Sequence, residues 1–239
     1  GSSILPTRTE TALMFAIPNE VSQVTTKLQQ AGFLAYLVGG CVRDLYLGRT
    51  PGDWDVTTNA KPDQISALFP KTFYENAFGT VTVVNEDSPN ESLKHIEVTP
   101  FRLEGKYSDQ RHPDEIKFSE KLTDDLARRD FTVNAIAYEP SKGQTLDPFS
   151  GLKDIKDKII RAVGVPDERF QEDALRLMRA VRLATALGFT LNSETAESIA
   201  KNAELITKIS VERVRDEFVK LLMSPNPLIG IGLMQKLFL

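Results

Sequence analysis

The chain has 239 residues, a formal charge of -4, 41% hydrophobic and 26% charged residues, which excludes wholesale disorder and a strongly basic surface, so any nucleic-acid contact has to come from a local patch. One Cys and two His exclude a disulfide framework and most Cys/His zinc sites, and the lone thiol fits a reducing, cytoplasmic setting. No apolar run approaches the roughly 18 residues of a bilayer span, so no membrane partner is expected, and no protein partner is evident.

Gly1-Ser2-Ser3 reads as a tag scar, and residues 1–19 are taken as scar and N-terminal extension. Residues 20–31 carry Val21, Val24 and Leu28 on one helical face, with Gly32 as the stop. Phe33 to Val38 is a short apolar run ending at Gly39-Gly40, a buried strand leading into a tight turn. Cys41 to Leu47 resumes a helical pattern that Gly48 closes. Trp54 to Thr58 predicts a strand, and Lys61 to Phe69 a helix with Pro62 near its start. Thr80 to Val84 and His95 to Phe101 predict strands separated by the turn cluster 85–90. The polar stretch 104–120 predicts a long mobile loop. Residues 124–139 read as a helix running into a strand. Past Ser150-Gly151 the strand signals stop, and residues 169–187, 193–206 and 210–223 are helical in period. The expected class is therefore α+β, with a mixed part first, a boundary near 150 and a helical part second. The last residues, Gln-Lys-Leu-Phe-Leu, end on apolar side chains with no polar cap, which predicts a body truncated soon after its start at 224–239.

The segment richest in chemistry is Leu37-Val38-Gly39-Gly40-Cys41-Val42-Arg43-Asp44 followed by Gly52-Asp53-Trp54-Asp55. On a strand, residues i and i+2 share a face, so Asp53 and Asp55 would stand side by side. Two carboxylates that close repel unless a cation lies between them. A hard divalent ion with oxygen ligands resolves this, and Mg²⁺ suits a site that also binds phosphate, with Mn²⁺ as a substitute. The glycine pair allows close backbone approach, and the helix after it offers N–H groups to a triphosphate. Taken alone, an Asp-x-Asp is more often a solvated turn and a Gly-Gly a plain turn; the ordered combination is what carries the chemistry.

These residues resemble a known family. Gly39-Gly40-x-x-Arg43-Asp44 with Asp53-x-Asp55 resembles the active-site signature of the polymerase-β-like nucleotidyltransferases. Arg128-Arg129-Asp130-Phe131-Thr132-x-Asn134 is similar to the second motif of the class II tRNA nucleotidyltransferases, the CCA-adding enzymes. Asp147-Pro148-Phe149-x-Gly151-x-x-Asp154 resembles their hinge, Glu172-Asp173-x-x-Arg176-x-x-Arg179-x-x-Arg182 their base-recognition helix, and Ser210-x-Glu212-Arg213 their last motif. The resemblance implies a catalytic head over 20–150, an all-helical neck over 151–223 and the start of a body.

It also implies roles. Asp53 and Asp55 would hold the metal, with Glu97 as a third catalytic carboxylate; alternation of Glu97 and Val98 leaves its face open. Gly39, Gly40, Arg43, Asp44, Arg128, Arg129, Asp130 and Asn134 would bind the nucleotide's ribose and triphosphate. For the arginine pair, a surface ion pair with Asp124 and Asp125 is the plain alternative. Asp173 and Arg176, at i and i+3 of one helix, would read the base: an acceptor and a donor fork can match the edges of cytosine and adenine and reject uracil and guanine. The plain alternative is a helix-surface salt bridge. Arg179 and Arg182 would contact nucleotide or tRNA, or be structural. The 104–120 loop, with Arg111, corresponds to a flexible loop associated with the last A. The implied reaction is CCA addition to tRNA from CTP and ATP with loss of pyrophosphate. A poly(A) polymerase using ATP alone, and a weakly active core fragment that binds nucleotide or RNA, remain open. The stretch 74–80 lacks the Gly-Arg-Arg-Phe feature of the former.

Overall fold

Seven strands join into one mixed sheet in a computed structural model that describes residues 14–75, 79–103 and 117–239. They are β1 (Ala35–Val38), β2 (Trp54–Thr58), β3 (Thr72–Glu75), β4 (Thr80–Val84), β5 (His95–Pro100), β6 (Ala137–Glu139) and β7 (Gln144–Leu146), in the order β3-β4-β5-β2-β1-β6-β7. Only β2 and β5 run parallel, and their register pairs Asp55 with Glu97. β1 lies antiparallel to β2 and pairs Val38 with Asp55. Because paired residues of neighbouring strands share a face, Val38, Asp55 and Glu97 form one row across the sheet.

The two faces differ. Leu37, Val56, Val98 and Ile96 are wholly buried on one side, together with Val81 and Val83 of β4. They pack under α1 (Asn19–Gln30), whose Val21, Val24 and Leu28 form its inner stripe, under α2 (Gly40–Tyr46) and under α3 (Pro62–Leu68). On the other side Tyr36, Val38, Phe101 and Ala137 pack against Leu122 and Leu126 of α5 (Leu122–Ala127). A one-turn helix, α4 (Glu91–Lys94), leads into β5.

Helices dominate after residue 150: α6 (Gly151–Asp157), α7 (Pro166–Glu172), α8 (Leu175–Leu187), α9 (Ser193–Asn202), α10 (Val211–Leu222) and α11 (Pro227–Lys236). Buried side chains run without a break from the sheet into these helices, through Ile155, Phe170, Leu177, Val181 and Leu221. The change near 150 is thus a change of secondary structure over a shared core. No helix among the described residues is long and apolar enough to cross a membrane.

Several expectations are corrected. The expected helix over 169–187 is two helices with a break at Asp173, whose backbone is extended (φ -143°, ψ 103°). Strands also continue past 150: β8 (Ile159–Ile160) and β9 (Thr190–Leu191) form a small parallel pair. β3, β7, α6 and α11 escaped the sequence reading because two of them are three- or four-residue edge strands and the helices carry glycine or a polar turn signal. Residues 193–206 split into α9 and a short 3-10 segment. Arg111 and most of the expected 104–120 loop lie outside the described residues. Its returning end pairs back on β5's continuation: Leu103 N–H donates to Lys117 O at 2.8 Å, and Ser119 N–H to Phe101 O at 2.8 Å.

Candidate active site

The glycine turn places the rest of the site. Gly39 has φ +77° and ψ -140°, a combination open to glycine and strained for other residues. A Cβ there would lie 3.0 Å from Arg129 Nη1 and 3.1 Å from Asp55 Oδ2. At Gly40 it would lie 3.4 Å from Arg43 Nη2. The pair therefore sits between two polar groups of residues, one on each side.

The first group surrounds a cavity of about 320 Å³ lined by Asp55, Glu97, Thr80, Thr99, Arg102, Arg128 and Arg129 among others. Alternation along β5 is resolved here: Ile96 and Val98 are buried in the core, and Glu97 is exposed on the cavity side. Asp53 corrects the strand picture, because β2 begins at Trp54 and Asp53 lies in the exposed bend before it. It is still close enough to act on Asp55. Burial pushes the Asp55 carboxyl above its ordinary range, Arg129 pulls it down and Asp53 pushes it further up. Among the described residues no three His, Cys, Asp or Glu side chains gather closely enough to hold a metal. The donor chemistry nevertheless fits a hard cation: Asp53 close enough for its charge to oppose that of Asp55, a third carboxylate abreast of Asp55, and oxygen donors only.

Arg128 and Arg129 end α5, and their anchor is Asp125, which is fully buried. Asp125 Oδ1 accepts from Arg128 Nε (2.8 Å) and Nη2 (2.5 Å). Its Oδ2 accepts from Arg129 Nη2 (3.3 Å) and from Thr57 Oγ1 (3.1 Å). Burial alone would raise this carboxyl, but the two guanidinium charges and their hydrogen bonds outweigh it and lower it. Of the ion-pair alternative, the pairs with Asp125 are present, in the interior rather than at the surface, whereas Asp124 accepts from Ser119 Oγ (2.5 Å). The motif reading did not single out Asp125 as the anchor of the arginine pair. Its signal was the i, i+3, i+4 spacing to two arginines.

The second group is a relay. Arg43 Nη1 donates to Asn134 Oδ1 at 2.7 Å, and Arg43 also pairs with Asp44 at 2.9 Å. Asn134 Nδ2 donates to Asp130 Oδ1 at 3.1 Å. Arg179 Nη2 donates to Asp130 Oδ2 at 2.7 Å. Burial would raise the Asp130 carboxyl, but Arg179 and the bonds from Arg179 and Asn134 hold it far below the usual carboxylate range. This chain of partners ties α2 to α8 beneath the glycine turn.

The helical residues are brought to the same place by different pairings from those expected. Asp173 and Arg176 do not share an unbroken helix. The Asp173 carboxylate accepts from Leu175 N–H (3.1 Å), which starts α8, and from Arg213 Nη2 of α10 (2.8 Å). Arg176 Nη1 donates to Glu172 Oε2 (2.5 Å), and its Nη2 donates to the Arg128 carbonyl (3.2 Å). Arg169 Nη1 donates to the neighbouring Ala127 carbonyl (3.2 Å) and Nη2 to Glu172 Oε1 (2.5 Å). Glu172 thus orients two arginines onto the last carbonyls of α5, where cations also complement the helix dipole. Arg182 pairs with Glu217, a buried carboxylate of α10.

The hinge motif is structural in detail. Asp147 accepts from the N–H groups of Gly151 (2.7 Å) and Leu152 (2.9 Å) and so caps α6. Asp154, buried, accepts from Thr132 Oγ1 (2.7 Å) and Arg161 Nε (3.0 Å).

A parallel strand pair carrying carboxylates in register, next to a glycine turn and under an arginine-bearing helix, is the arrangement of a polymerase-β-like nucleotidyltransferase head. Residues 35–161 match the family model described as the poly A polymerase head domain, and the chain belongs to that family. Residues 188–239 match a second model, described as a probable RNA and SrmB-binding site of polymerase A. Among relatives, the CCA-adding enzyme of Bacillus subtilis is 50% identical over 196 residues, covering 82% of this chain and 48% of the relative. The CCA-adding enzyme of Lactobacillus delbrueckii subsp. bulgaricus is 48% identical over 204 residues, covering 85% and 50%. Among solved structures, the Bacillus stearothermophilus CCA-adding enzyme in complex with CTP superposes with a TM-score of 0.81 at 41% identity, over 92% of this chain and 53% of that one. The chain spans about half the length of the curated relatives it matches.

Proposed function

We propose that the chain transfers nucleotides from CTP and ATP to the 3′ end of tRNA, completing CCA and releasing pyrophosphate. The observation that carries this reading is the cavity that Asp55 and Glu97, abreast on β2 and β5, line together with Arg128 and Arg129. Likeness to enzymes named CCA-adding, one of them holding CTP, supports the choice of reaction.

Each group has a task in the attack of an RNA 3′-hydroxyl on the α-phosphate. Arg128 and Arg129, preset by Asp125, hold the polyphosphate and the charge that collects on the leaving pyrophosphate. Gly39 lets the backbone approach the phosphates without a side chain in the way. Asp53 and Asp55, with Glu97 beside them, would hold Mg²⁺ or Mn²⁺, which supplies charge neutralisation and alignment when bound. Asp130, Asn134, Arg43 and Asp44 form the polar wall suited to ribose hydroxyls, with Arg179 locked behind it. Asp173 and Arg176 are the proposed base readers. Arg176 already rests on the Arg128 carbonyl, beside the phosphate arginines, and both side chains are oriented by ion pairs before a base arrives. Arg182 is assigned a structural part through Glu217.

The test is incubation with tRNA ending at the discriminator base. CTP alone should add two residues, both nucleotides three, and ATP alone none. An extended ladder from ATP alone would replace this reading with poly(A) synthesis. Asp53→Asn and Asp55→Asn should each abolish incorporation while thermal unfolding stays cooperative, and full turnover by either would remove the metal assignment.

A further inference from the structure

We propose that Arg102 is a third phosphate-binding guanidinium of this site, alongside Arg128 and Arg129; the proposal rests on the nucleotidyltransferase reading and deepens it. None of the motifs includes Arg102, which follows β5 in a stretch that reads as the entrance to a polar loop. The fold turns it inward. Arg102 lines the same cavity as Asp55, Glu97, Arg128 and Arg129. Its charge also reaches Asp125, lowering that carboxyl together with Arg128 and Arg129.

Its backbone is fixed on both sides. Phe101 is fully buried, and its N–H donates to Thr58 O at 2.6 Å at the end of β2. Arg102 itself bridges to Phe118, with the flanking bonds Leu103 to Lys117 and Ser119 to Phe101 closing the ladder. A backbone held on both sides fixes the point from which the guanidinium reaches into the cavity. Arg128 and Arg129 are both bonded to Asp125, and Asp55 and Glu97 also line the cavity, so a third guanidinium in the lining offsets carboxylate charge that would otherwise oppose a polyanion. Its place in the lining with Arg128 and Arg129, together with the planar fork, suits bidentate contact with phosphate oxygens.

The experiment compares the whole chain with Arg102→Ala and Arg102→Lys by calorimetry with CTP, CMP and inorganic tripolyphosphate, without RNA. Arg102→Ala should weaken CTP and tripolyphosphate about tenfold or more and leave CMP within about twofold, so that the CTP-to-CMP affinity ratio falls. Arg102→Lys should recover part of that ratio, because it restores the charge without the fork. A merely structural role would weaken CTP and CMP alike, and that result, or unchanged CTP and tripolyphosphate binding, overturns the proposal. Failure of the unaltered chain to prefer CTP over CMP would instead overturn the nucleotidyltransferase reading itself, and Arg102's role with it.

Discussion

Asp125 holds four donor atoms on its two oxygens, and three of them belong to the arginines that face the cavity. A carboxylate at this depth is stable only because it is paired, and the pairing fixes the direction of both guanidinium groups. Replacing it by a neutral amide of the same shape removes the charge and turns an N–H₂ group toward one arginine. Asp125→Asn should cost about 3 kcal/mol of stability, at the lower end for breaking a buried pair. It should also raise the Kd for CTP well beyond what a global softening would do. Differential calorimetry and CTP titration measure the two effects, and CTP affinity equal to that of the unaltered chain would show that the arginines orient themselves. Cys41 is the opposite case. Its thiol is buried, and burial with the nearby Asp55 charge pushes it up to about 12, so it is unreactive packing despite lying next to the glycine turn.

At the scale of elements, Gly151 shows how tightly the hinge joins the two halves. It begins α6 directly against the 3-10 turn that follows the arginine motif. A Cβ at Gly151 would lie 2.1 Å from the Thr132 carbonyl oxygen and 2.8 Å from an Ile136 side-chain carbon. No rotamer change relieves a clash with backbone, so α6 would have to move. Gly151→Ala should destabilise by about 1–3 kcal/mol, lowering Tm by roughly 2–4 °C for each kcal/mol in a chain of this size. A Tm equal to that of the parent would mean that the hinge packs more loosely than its geometry indicates. The break between α7 and α8 belongs to the same scale. Asp173 leaves the helical conformation and spends its carboxylate on starting α8 and on Arg213, which frees Glu172 to hold Arg169 and Arg176 on the end of α5.

For the whole molecule, the Asp130 network links head and neck and makes their union sensitive to acid. The carboxyl of Asp130 is lower in the folded state than in the unfolded chain, where it titrates near about 3.9. The unfolded state then binds the proton first. The network's stabilisation is fully present above the unfolded value and is lost as pH falls from there toward the depressed folded value. Asp125 has the same sign. Urea unfolding between pH 5 and pH 2 should show a steep acid limb, and Asp130→Asn should flatten it while lowering stability at pH 7. An acid limb of unchanged slope in Asp130→Asn would assign acid sensitivity to other carboxylates.

Much of this was legible in the sequence because it is local. Alternation and apolar runs place β1, β2, β4 and β5, a 3.6-residue period places α1 and α10, and short-range spacing marks Gly39-Gly40, Asp53-x-Asp55 and Arg128-Arg129. Each of these is decided within a few residues by sterics and by which face must be buried. The pairing of β2 with β5 could not be read that way, since two strands some forty residues apart choose each other through the whole sheet. That choice is what turns Glu97 to the Asp55 side and buries Val98 behind it. Partner selection among charges is likewise non-local: sequence spacing offered Asp173 to Arg176, whereas packing of α10 on α8 gave Asp173 to Arg213 and Arg182 to Glu217. The same holds for Arg102, which no motif marks and which only the closure of the sheet beside α5 brings to the cavity that Arg128 and Arg129 line. Like charges and ion pairs are set by distance in space, and a chain fixes those distances only once its tertiary contacts close.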